Sequence, residues 1–291
     1  PTTQDEVSIT VFNPASPNAN AGADQQVCAA NSTLGGNAPL APATGQWTLV
    51  SGAGTITTPT SPSSTVTGLG FGTNVFQWTL NNGPCANGVT TDQVTIVRFD
   101  PNTPAATAGP DQDLCLLGAS TTTVMAANAA VFPATGLWTV VSGTATLSTP
   151  TSPTTTVTNL TTGTVVLRWT ISNGPCTPQT TSDDVTLRIF NGAAPAANAG
   201  PDQDRCAPVA SVTLAANAAT APATGTWTVV SGTGTFANAN SPTTTVSGMG
   251  IGSNVYRWTI NNGPCAGAIT SDDVLIRLFD PATATANAGP D

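Results

Sequence analysis

The stretch W-T-I-N-N-G-P-C at residues 258–265 occurs almost unchanged at residues 78–85 and at residues 169–176. Each copy opens on a tryptophan and closes on a cysteine. A second tryptophan precedes each copy at one constant interval, with the two at positions 47 and 78, 138 and 169, and 227 and 258. A phenylalanine follows each cysteine at an equally constant interval, at positions 99, 190 and 279. Constant spacing at a period near 90 residues predicts three copies of one folding unit.

The residues around the first copy alternate in polarity. Phe76, Trp78 and Leu80 fall on one side of an extended chain, and Gln77 and Thr79 fall on the other. This period of two is typical of a strand with one buried face. Asn-Gly-Pro then ends the strand, because Asn-Gly readily takes positive φ and Pro lacks a backbone N–H. The cysteine follows the turn, where it can bond a residue outside its own strand.

Composition excludes several classes of function. Only 7% of the 291 residues are charged, the net charge is −9, and the chain has no His and no Lys. A chain without clustered cations is a poor ligand for nucleic acid or for an anionic membrane patch. No apolar run reaches the ~18–20 residues of a membrane span. The start also lacks the features of a signal peptide, so we expect a mature or excised piece.

Six cysteines, two in each repeat, favour disulfides and an oxidising location. We expect the simplest pairing, inside each repeat. Free thiols or metal ligands are the alternative, but no His or C-x-x-C is present to complete a zinc site. The expected pairs are Cys28–Cys85, Cys115–Cys176 and Cys206–Cys265.

The spacing from the first cysteine of a repeat to its first tryptophan varies. The two lie at positions 28 and 47, 115 and 138, and 206 and 227. The three spacings differ by even numbers, and an even insertion keeps later side chains on their original face. We therefore predict that residues 28–47, 115–138 and 206–227 each contain a hairpin that reaches outward from the unit.

Short runs rich in Thr and Val, separated by turn clusters such as S-G-T-G, predict an all-β sandwich instead of an α/β sheet. The strands expected in the third repeat are 204–207, 211–216, 225–231, 234–237, 243–247, 254–260 and 273–279.

The repeats predict a division of the chain into tandem units. Residues 1–18 match the last strand and linker of a repeat, and residues 286–291 match the start of another. The interval from a closing phenylalanine to the glycine of the next A-G-x-D never changes (12 to 22, 99 to 109, 190 to 200 and 279 to 289), and these junctions contain Pro and Ala. Constant, Pro-rich junctions favour an extended rod over flexibly tethered units. The three whole repeats are expected at 19–105, 106–196 and 197–285.

The motif string N-A-G-P-D-Q, T-G-x-W-T-V-V-S-G-T-G-T, S-P-T-T-T-V and W-T-I-x-N-G-P-C…S-D-D-V resembles PKD-like, Ig-like repeats. Such repeats stand in tandem in large secreted surface proteins of Bacteroidetes-type bacteria, similar to gliding-motility adhesins exported by the type IX secretion system. The resemblance implies a β-sandwich fold, an extracellular location at the bacterial cell surface and a structural or adhesive role. It brings no catalytic residues. The first repeat departs from the pattern, with A-G-A-D at 21–24 and T-D-Q-V at 91–94.

Enzymatic activity is not expected. The chain has no His for acid–base catalysis and no Lys for a Schiff base. Adjacent carboxylates such as Asp183 and Asp184 lie at the start of a strand. They would therefore point to opposite faces and would not act as a pair on one substrate.

Two aspartate pairs are candidate ligands for Ca²⁺ near the junctions, because they supply hard oxygen atoms at alternate positions. The alternative is that Pro-Asp-Gln forms a turn in which Asp accepts from backbone N–H groups. No other cofactor is expected. The residues are Asp111, Asp113, Asp202 and Asp204.

Three tryptophan pairs are expected to form the cores of the units. The alternative is an exposed platform for a carbohydrate. The pairs are Trp47 and Trp78, Trp138 and Trp169, and Trp227 and Trp258.

Taken together, these features favour a rigid, disulfide-stapled stalk that forms part of an extracellular filament or adhesin. Its partners would be neighbouring repeats and other copies in a fibre, without nucleic acid or membrane insertion. One alternative is a module that binds surface glycans or cells through the variable hairpins. Another is a set of spacer repeats in a secreted enzyme.

Overall fold

A computed structural model describes residues 2–85 and 88–282. The part expected to begin a further repeat, 286–291, lies outside them. The described residues form 21 strands in three successive sets of seven, and no helix among them has the length and hydrophobicity of a membrane span.

The strands of the first set are β1 (Gln25–Val27), β2 (Ser32–Thr33), β3 (Thr44–Ser51), β4 (Thr55–Ile56), β5 (Thr65–Thr67), β6 (Gly72–Asn81) and β7 (Val89–Arg98). The second set comprises β8 (Gln112–Leu116), β9 (Thr121–Val124), β10 (Thr135–Ser142), β11 (Thr146–Leu147), β12 (Thr156–Leu160), β13 (Gly163–Ser172) and β14 (Thr180–Asn191). The third comprises β15 (Gln203–Cys206), β16 (Ser211–Thr213), β17 (Thr224–Ser231), β18 (Thr235–Phe236), β19 (Thr245–Ser247), β20 (Gly252–Asn261) and β21 (Ile269–Phe279).

Each set folds into a sandwich of a four-stranded and a three-stranded sheet. In the first unit the sheet orders are β1-β7-β6-β3 and β2-β5-β4, and the other two units repeat this topology. Every pairing is antiparallel except one in each unit, in which the first strand runs parallel to the last. The predicted all-β fold of tandem Ig-like units is confirmed, and every strand expected in the third repeat has a counterpart in the structure.

Each sandwich is built on a pair of tryptophans that face one another across neighbouring strands. Trp47 pairs with Trp78 in the β3–β6 register, with ring centroids 4.9 Å apart. Both indoles are at most 1% exposed. Each indole N–H donates to a backbone carbonyl, from Trp47 to Pro62 and from Trp78 to Asn37. Burial of large rings with satisfied N–H groups is the main apolar contribution to each core.

The variable segment is not a hairpin, so that prediction is wrong. Of the strands that fall within residues 28–47, β2 pairs with β5 of the smaller sheet, whereas β3 pairs with β6 of the larger one. The chain therefore crosses from one sheet to the other. The crossing places Leu34, which is 1% exposed, against the core from the opposite side.

The variation in length lies at one end of each unit. A glycine of the A-G-x-D motif contacts residues 35, 126 and 215 in the three units, and these are therefore equivalent positions. The interval from each of them to the next tryptophan is the same, running from 35 to 47, from 126 to 138 and from 215 to 227. All of the difference thus lies in 28–35, 115–126 and 206–215, next to the first cysteine.

Ion pairs in the described residues are few and lie on the sheet surface. Arg168 forms a bidentate pair with Asp184 on the neighbouring strand, with distances of 2.7 and 2.9 Å. The guanidinium hydrogen bonds lower the pKa of the Asp184 carboxyl. In the first unit the equivalent positions are Gln77 and Gln93, whose side chains hydrogen-bond to each other instead. Both residues of the charged pair are replaced together, so the cross-strand contact is kept.

The single tyrosine of the chain lies in the third core. Tyr256 is fully buried, and its hydroxyl donates to the backbone carbonyl of Thr233 at 2.6 Å. Phe76 and Leu167 occupy the equivalent positions in the other units. Burial disfavours the phenolate and raises the pKa of Tyr256 to about 12.

Since the chain has one tyrosine, its phenolate absorbance should report on the third unit alone. We expect a titration midpoint near 12 in the folded chain and near the ordinary value of about 10 after unfolding in denaturant. The pKa is raised in the folded state, so stability is present below pH ~10 and is lost as pH rises towards 12. Tyr256→Phe should reduce this alkaline loss. A midpoint near 10 in the folded chain would contradict the buried placement.

Candidate functional site: the joints between units

The two cysteines of one repeat lie at opposite ends of their sandwich. β1 runs parallel to β7 and ends beside it, with Val27 opposite Arg98, so Cys28 lies at the end where the chain leaves the unit. Cys85 follows β6 in the turn at the other end. β6 has ten residues, which corresponds to about 30 Å of strand. Cysteines joined by a disulfide have Cα atoms at most about 7 Å apart.

The expected pairing inside each repeat is therefore wrong. Instead, Cys28 is bonded to Cys176 and Cys115 to Cys265, with Cα–Cα distances of 5.3 and 5.0 Å. In both bonds the first cysteine of one unit is joined to the second cysteine of the next. Cys85 and Cys206 are free thiols in the part of the chain that the structure describes. That they form disulfides stays a prediction.

A phenylalanine and a glycine form the apolar contact of each joint. The closing phenylalanine of one unit lies on the glycine of the Asn-Gly-Pro-Cys turn in the next. These glycines have φ between +54° and +64°, and a Cβ built on any of them would lie 2.6 Å from the ring. Only glycine suits both the backbone and the contact. The pairs are Phe12 on Gly83, Phe99 on Gly174, and Phe190 on Gly263.

The asparagine of the same turn supplies the polar contact. The Asn173 side-chain amide donates to the backbone carbonyl of Asp100, the residue after the closing phenylalanine, at 2.9 Å. Asn262 makes the same bond to Asn191 at 2.7 Å. One repeated geometry thus joins the end of one unit to the turn of the next by a covalent bond, a ring contact and a hydrogen bond.

The joints differ in one hydrogen bond. The Oδ1 of Asn173 accepts from the Thr103 hydroxyl at 3.1 Å. The corresponding oxygen of Asn262 is buried without a partner among the described residues, because Ala194 occupies the position of Thr103 and has no side-chain donor. A buried acceptor without a hydrogen bond is a cost to stability. The buried polar groups are therefore more completely hydrogen-bonded in the joint between the first two units than in the joint between the second and third.

The linker itself is fastened to the following unit. The N–H of Ala106 donates to the Thr181 hydroxyl and that of Ala108 to the Asp183 carboxylate, both at 2.8 Å. The second linker repeats both bonds with Thr270 and Asp272. These contacts help to explain the constant length of the junctions, since two backbone N–H groups of each linker have fixed partners on the last strand of the following unit.

The four candidate calcium ligands have other partners. Asp111 accepts from the backbone N–H of Thr186 at 2.8 Å, and Asp202 accepts from that of Leu275 at 2.9 Å. Asp113 and Asp204 lie against arginines on the last strands of their units, at 2.7 and 3.6 Å. Among the described residues no three acidic, Cys or His side chains converge as a metal site would require. These carboxylates fasten the first strand to the last.

The tryptophans do not form a platform for carbohydrate, because all six are at most 2% exposed. A cleft of about 540 Å³ lies in the third unit beside the buried Trp258 and is lined by alanine, threonine, glycine, asparagine and proline. It presents no exposed aromatic face and no charged side chain.

The asparagine and glycine of the Asn-Gly-Pro-Cys turn were not predicted as contact residues of the joint. The signal for them was present in the constant turn sequence and in the constant interval from the closing phenylalanine to the next unit. Considered by itself, the turn indicates only the end of a strand, so its second role was missed.

No protein-family model matches the chain, and no curated protein matches it. Among solved structures it is similar to one chain in the crystal structure of Dpr2 Ig1-Ig2 in complex with DIP-Theta Ig1-Ig3. Identity is 13%, coverage is 91% of this chain and 100% of the other, and the TM-score is 0.51. The fold is that of tandem Ig-like domains.

Two further solved structures are similar at lower TM-scores. The titin fragment I67-I69 is 12% identical, with 92% of this chain and 99% of that chain covered and a TM-score of 0.42. The PKD domain from the KIAA 1837 protein is 23% identical over 33% of this chain and 96% of its own, with a TM-score of 0.27.

Substituting one partner of a joint disulfide should destabilise the chain far more than substituting an unbonded cysteine. Each bond closes a loop of about 150 residues, so Cys176→Ser should lower the free energy of unfolding by about 2–5 kcal/mol. Cys85→Ser is the matched control, with an expected change within about 0.5 kcal/mol. Chemical denaturation measures both. Equal losses for the two variants would contradict the assigned pairing, as would a Cys28–Cys85 peptide in a non-reducing digest.

The ring contact can be tested separately from the disulfide. Phe99 is 6% exposed and Phe279 is 51% exposed. Because only the first is buried in a joint, Phe99→Ala should cost about 3 kcal/mol of unfolding free energy and Phe279→Ala less than about 0.5 kcal/mol. Denaturant unfolding of the oxidised chain measures both. Similar effects of the two variants would show that the ring does not hold the joint.

Proposed function

We propose that the chain is a load-bearing segment of a long extracellular filament or adhesin, with repeats at 19–105, 106–196 and 197–285. One observation carries the proposal. The disulfides run from the end of one unit to the turn of the next, so they stabilise the connection between units instead of the core of each. Such bonds would hold neighbouring units in a fixed relative orientation, and they therefore favour a stiff rod.

The topology suits tension along the chain. With the joint disulfides intact, force on the chain ends enters the second unit at Cys176, just before β14, and leaves it at Cys115, near the end of β8. These strands are parallel neighbours over five residue pairs, from Gln112 opposite Leu187 to Leu116 opposite Asn191. The hydrogen bonds between them are therefore loaded in shear and must break together, which resists more force than opening a pair from one end.

The disulfides also limit how far the chain can extend after its units unfold. With both bonds intact, the shortest covalent path from end to end consists of residues 1–28, 115–176 and 265–291. At about 3.6 Å per residue this path is about 420 Å long, against about 1,050 Å for the reduced chain. A filament built in this way would remain connected and short under a force that unfolds single units.

Cysteine usage supports an oxidising, extracellular location. The similarity to PKD-like and Ig-like repeats supports secretion to a bacterial cell surface, with a Bacteroidetes-type gliding-motility adhesin and the type IX pathway as the specific proposal.

The position of the variable segments argues for a structural role over glycan binding. Their length differences lie beside the cysteines of the joints, where they would adjust the contact between units. A non-enzymatic role is proposed because the chain has no His for acid–base catalysis and no Lys for a Schiff base.

Stretching single molecules from both ends should give a maximum extension of about 420 Å when oxidised and about 1,050 Å when reduced. Contour length alone does not reveal the pairing, because bonds inside each repeat would leave a path of the same length. Cys85→Ser resolves this. Bonds between units predict no change in the oxidised chain, whereas bonds inside repeats predict an increase to about 620 Å.

Small-angle scattering of the same samples tests stiffness. The oxidised chain should be extended, and reduction should broaden its distribution of maximum dimensions while each unit stays folded. A load-bearing stalk would be contradicted by units that move independently with the disulfides intact, or by unchanged extension after reduction.

A further inference from the structure

The two joints differ on the side of the sheet that lies away from the disulfide. The order β1-β7-β6-β3 places Cys28, which follows β1, on one side of β7, and Gly72, which begins β6, on the other. In the second unit Cys115 and Gly163 flank β14 in the same way. Neighbouring strands are about 5 Å apart, so each joint has a cysteine side and, about 10 Å from it, a far side at Gly72 or Gly163.

A ring contact occupies the far side of the first joint. Phe132, in the loop before β10 of the second unit, lies against Gly72 of the first, and a Cβ built on Gly72 would be 3.0 Å from the ring. Phe132 is 70% exposed, so the contact buries little area and contributes little attraction. The ring acts as a steric stop, because it prevents the second unit from tilting towards the first on this side.

The turn that receives the ring is braced by an arginine. The Arg98 guanidinium donates to the carbonyl of Leu69 at 2.6 Å and lies 4.2 Å from the centroid of the Phe71 ring. The same side chain donates to the carbonyl of Cys28 at 3.5 Å. One arginine therefore connects the turn before β6 to the cysteine side of the joint, and the stop rests on a fixed support.

The second joint lacks both the ring and its support. Ala221 occupies the position of Phe132. Apart from the chain neighbours of Gly163, no atom of the described residues lies within 4 Å of a Cβ built on that glycine. Ile189 occupies the position of Arg98, and it is buried in the second core. The far side of this joint is therefore open.

The cysteine side of the second joint, in contrast, is firmly packed. Phe190 and Cys265 belong to the cluster of buried residues that forms the third core, and Cys115 packs against this cluster. The joint is thus fixed along one edge and open along the other. A connection of this kind permits rotation about the fixed edge, as in hinge motions between domains.

We propose that the joint between the second and third units is a hinge. The third unit rocks about the Cys115–Cys265 bond and the Phe190 contact, so that the loop at Ala221 moves towards and away from Gly163. The joint between the first two units does not rock in this way, because Phe132 stops it. The inference depends on the geometry of the two joints and not on the load-bearing function, since a hinge with an intact disulfide still transmits tension.

Pulsed electron paramagnetic resonance on the oxidised full-length chain can compare the two joints. Spin labels would replace Thr48 and Thr139 in one sample and Thr139 and Thr228 in another, which are equivalent exposed positions on the edge strands of the far side. The labels would be attached through an introduced keto amino acid, because thiol reagents would also modify Cys85 and Cys206. We expect a broader distance distribution across the second joint, extended towards shorter distances. Equal widths, or a broader first joint, would overturn the proposal.

Exchanging the stop between the joints tests its cause. Phe132→Ala should broaden the distribution across the first joint, and Ala221→Phe should narrow that across the second. Val131→Ala is the matched control, since Val131 is 50% exposed in the same loop and should change neither width. A first joint that keeps its width in Phe132→Ala, or a second joint that keeps its width in Ala221→Phe, would overturn the proposal. Unchanged melting temperatures control for folding.

The hinge and the load-bearing function can fail separately. Narrow distributions across both joints would overturn the hinge and leave the load-bearing proposal standing. The extension experiment measures the length of the covalent path and does not respond to tilt between folded units. A failure of that experiment would leave the difference between the two joints standing.

Discussion

The parallel pairing of the first and last strands of each unit determines how the units are connected. Because β1 runs in the same direction as β7, the cysteine that follows β1 lies at the end where the chain leaves the sandwich. The cysteine after β6 lies at the end where the chain enters. A bond inside one unit would have to span the length of a ten-residue strand, whereas a bond between neighbours spans only a joint.

One repeated stretch serves both the core and the joint. In residues 169–176, the tryptophan is buried in the sandwich, and the asparagine, glycine and cysteine contact the unit before it. Because the strand continues directly into the turn, the packing of the tryptophan in the core also sets the position of the residues that contact the neighbouring unit. The linker adds to this, because its backbone N–H groups are held by side chains of the following unit. The fold of a unit and its attachment are therefore coupled.

The few charged residues have defined structural tasks. One aspartate in each A-G-x-D motif accepts from a backbone N–H of the last strand, and Asp183 and its equivalents accept from the linker. Arg168 and Arg257 pair across strands on exposed faces, where ion pairs contribute little to stability. Burial of the tryptophans and the disulfides between units therefore contribute more to stability than these surface ion pairs do.

Local patterns in the sequence determined the class of fold, the strands, and the buried Trp and Phe positions, because alternation and turn residues act over a few neighbours. The conformation of the variable segments, the partners of the candidate calcium ligands and the disulfide pairing depend on contacts between residues far apart in the chain. Whether β1 runs parallel or antiparallel to β7 decides which end of the unit Cys28 occupies, and no local signal distinguishes the two directions. The partner of each cysteine was therefore decided by strand direction, which only the tertiary structure revealed.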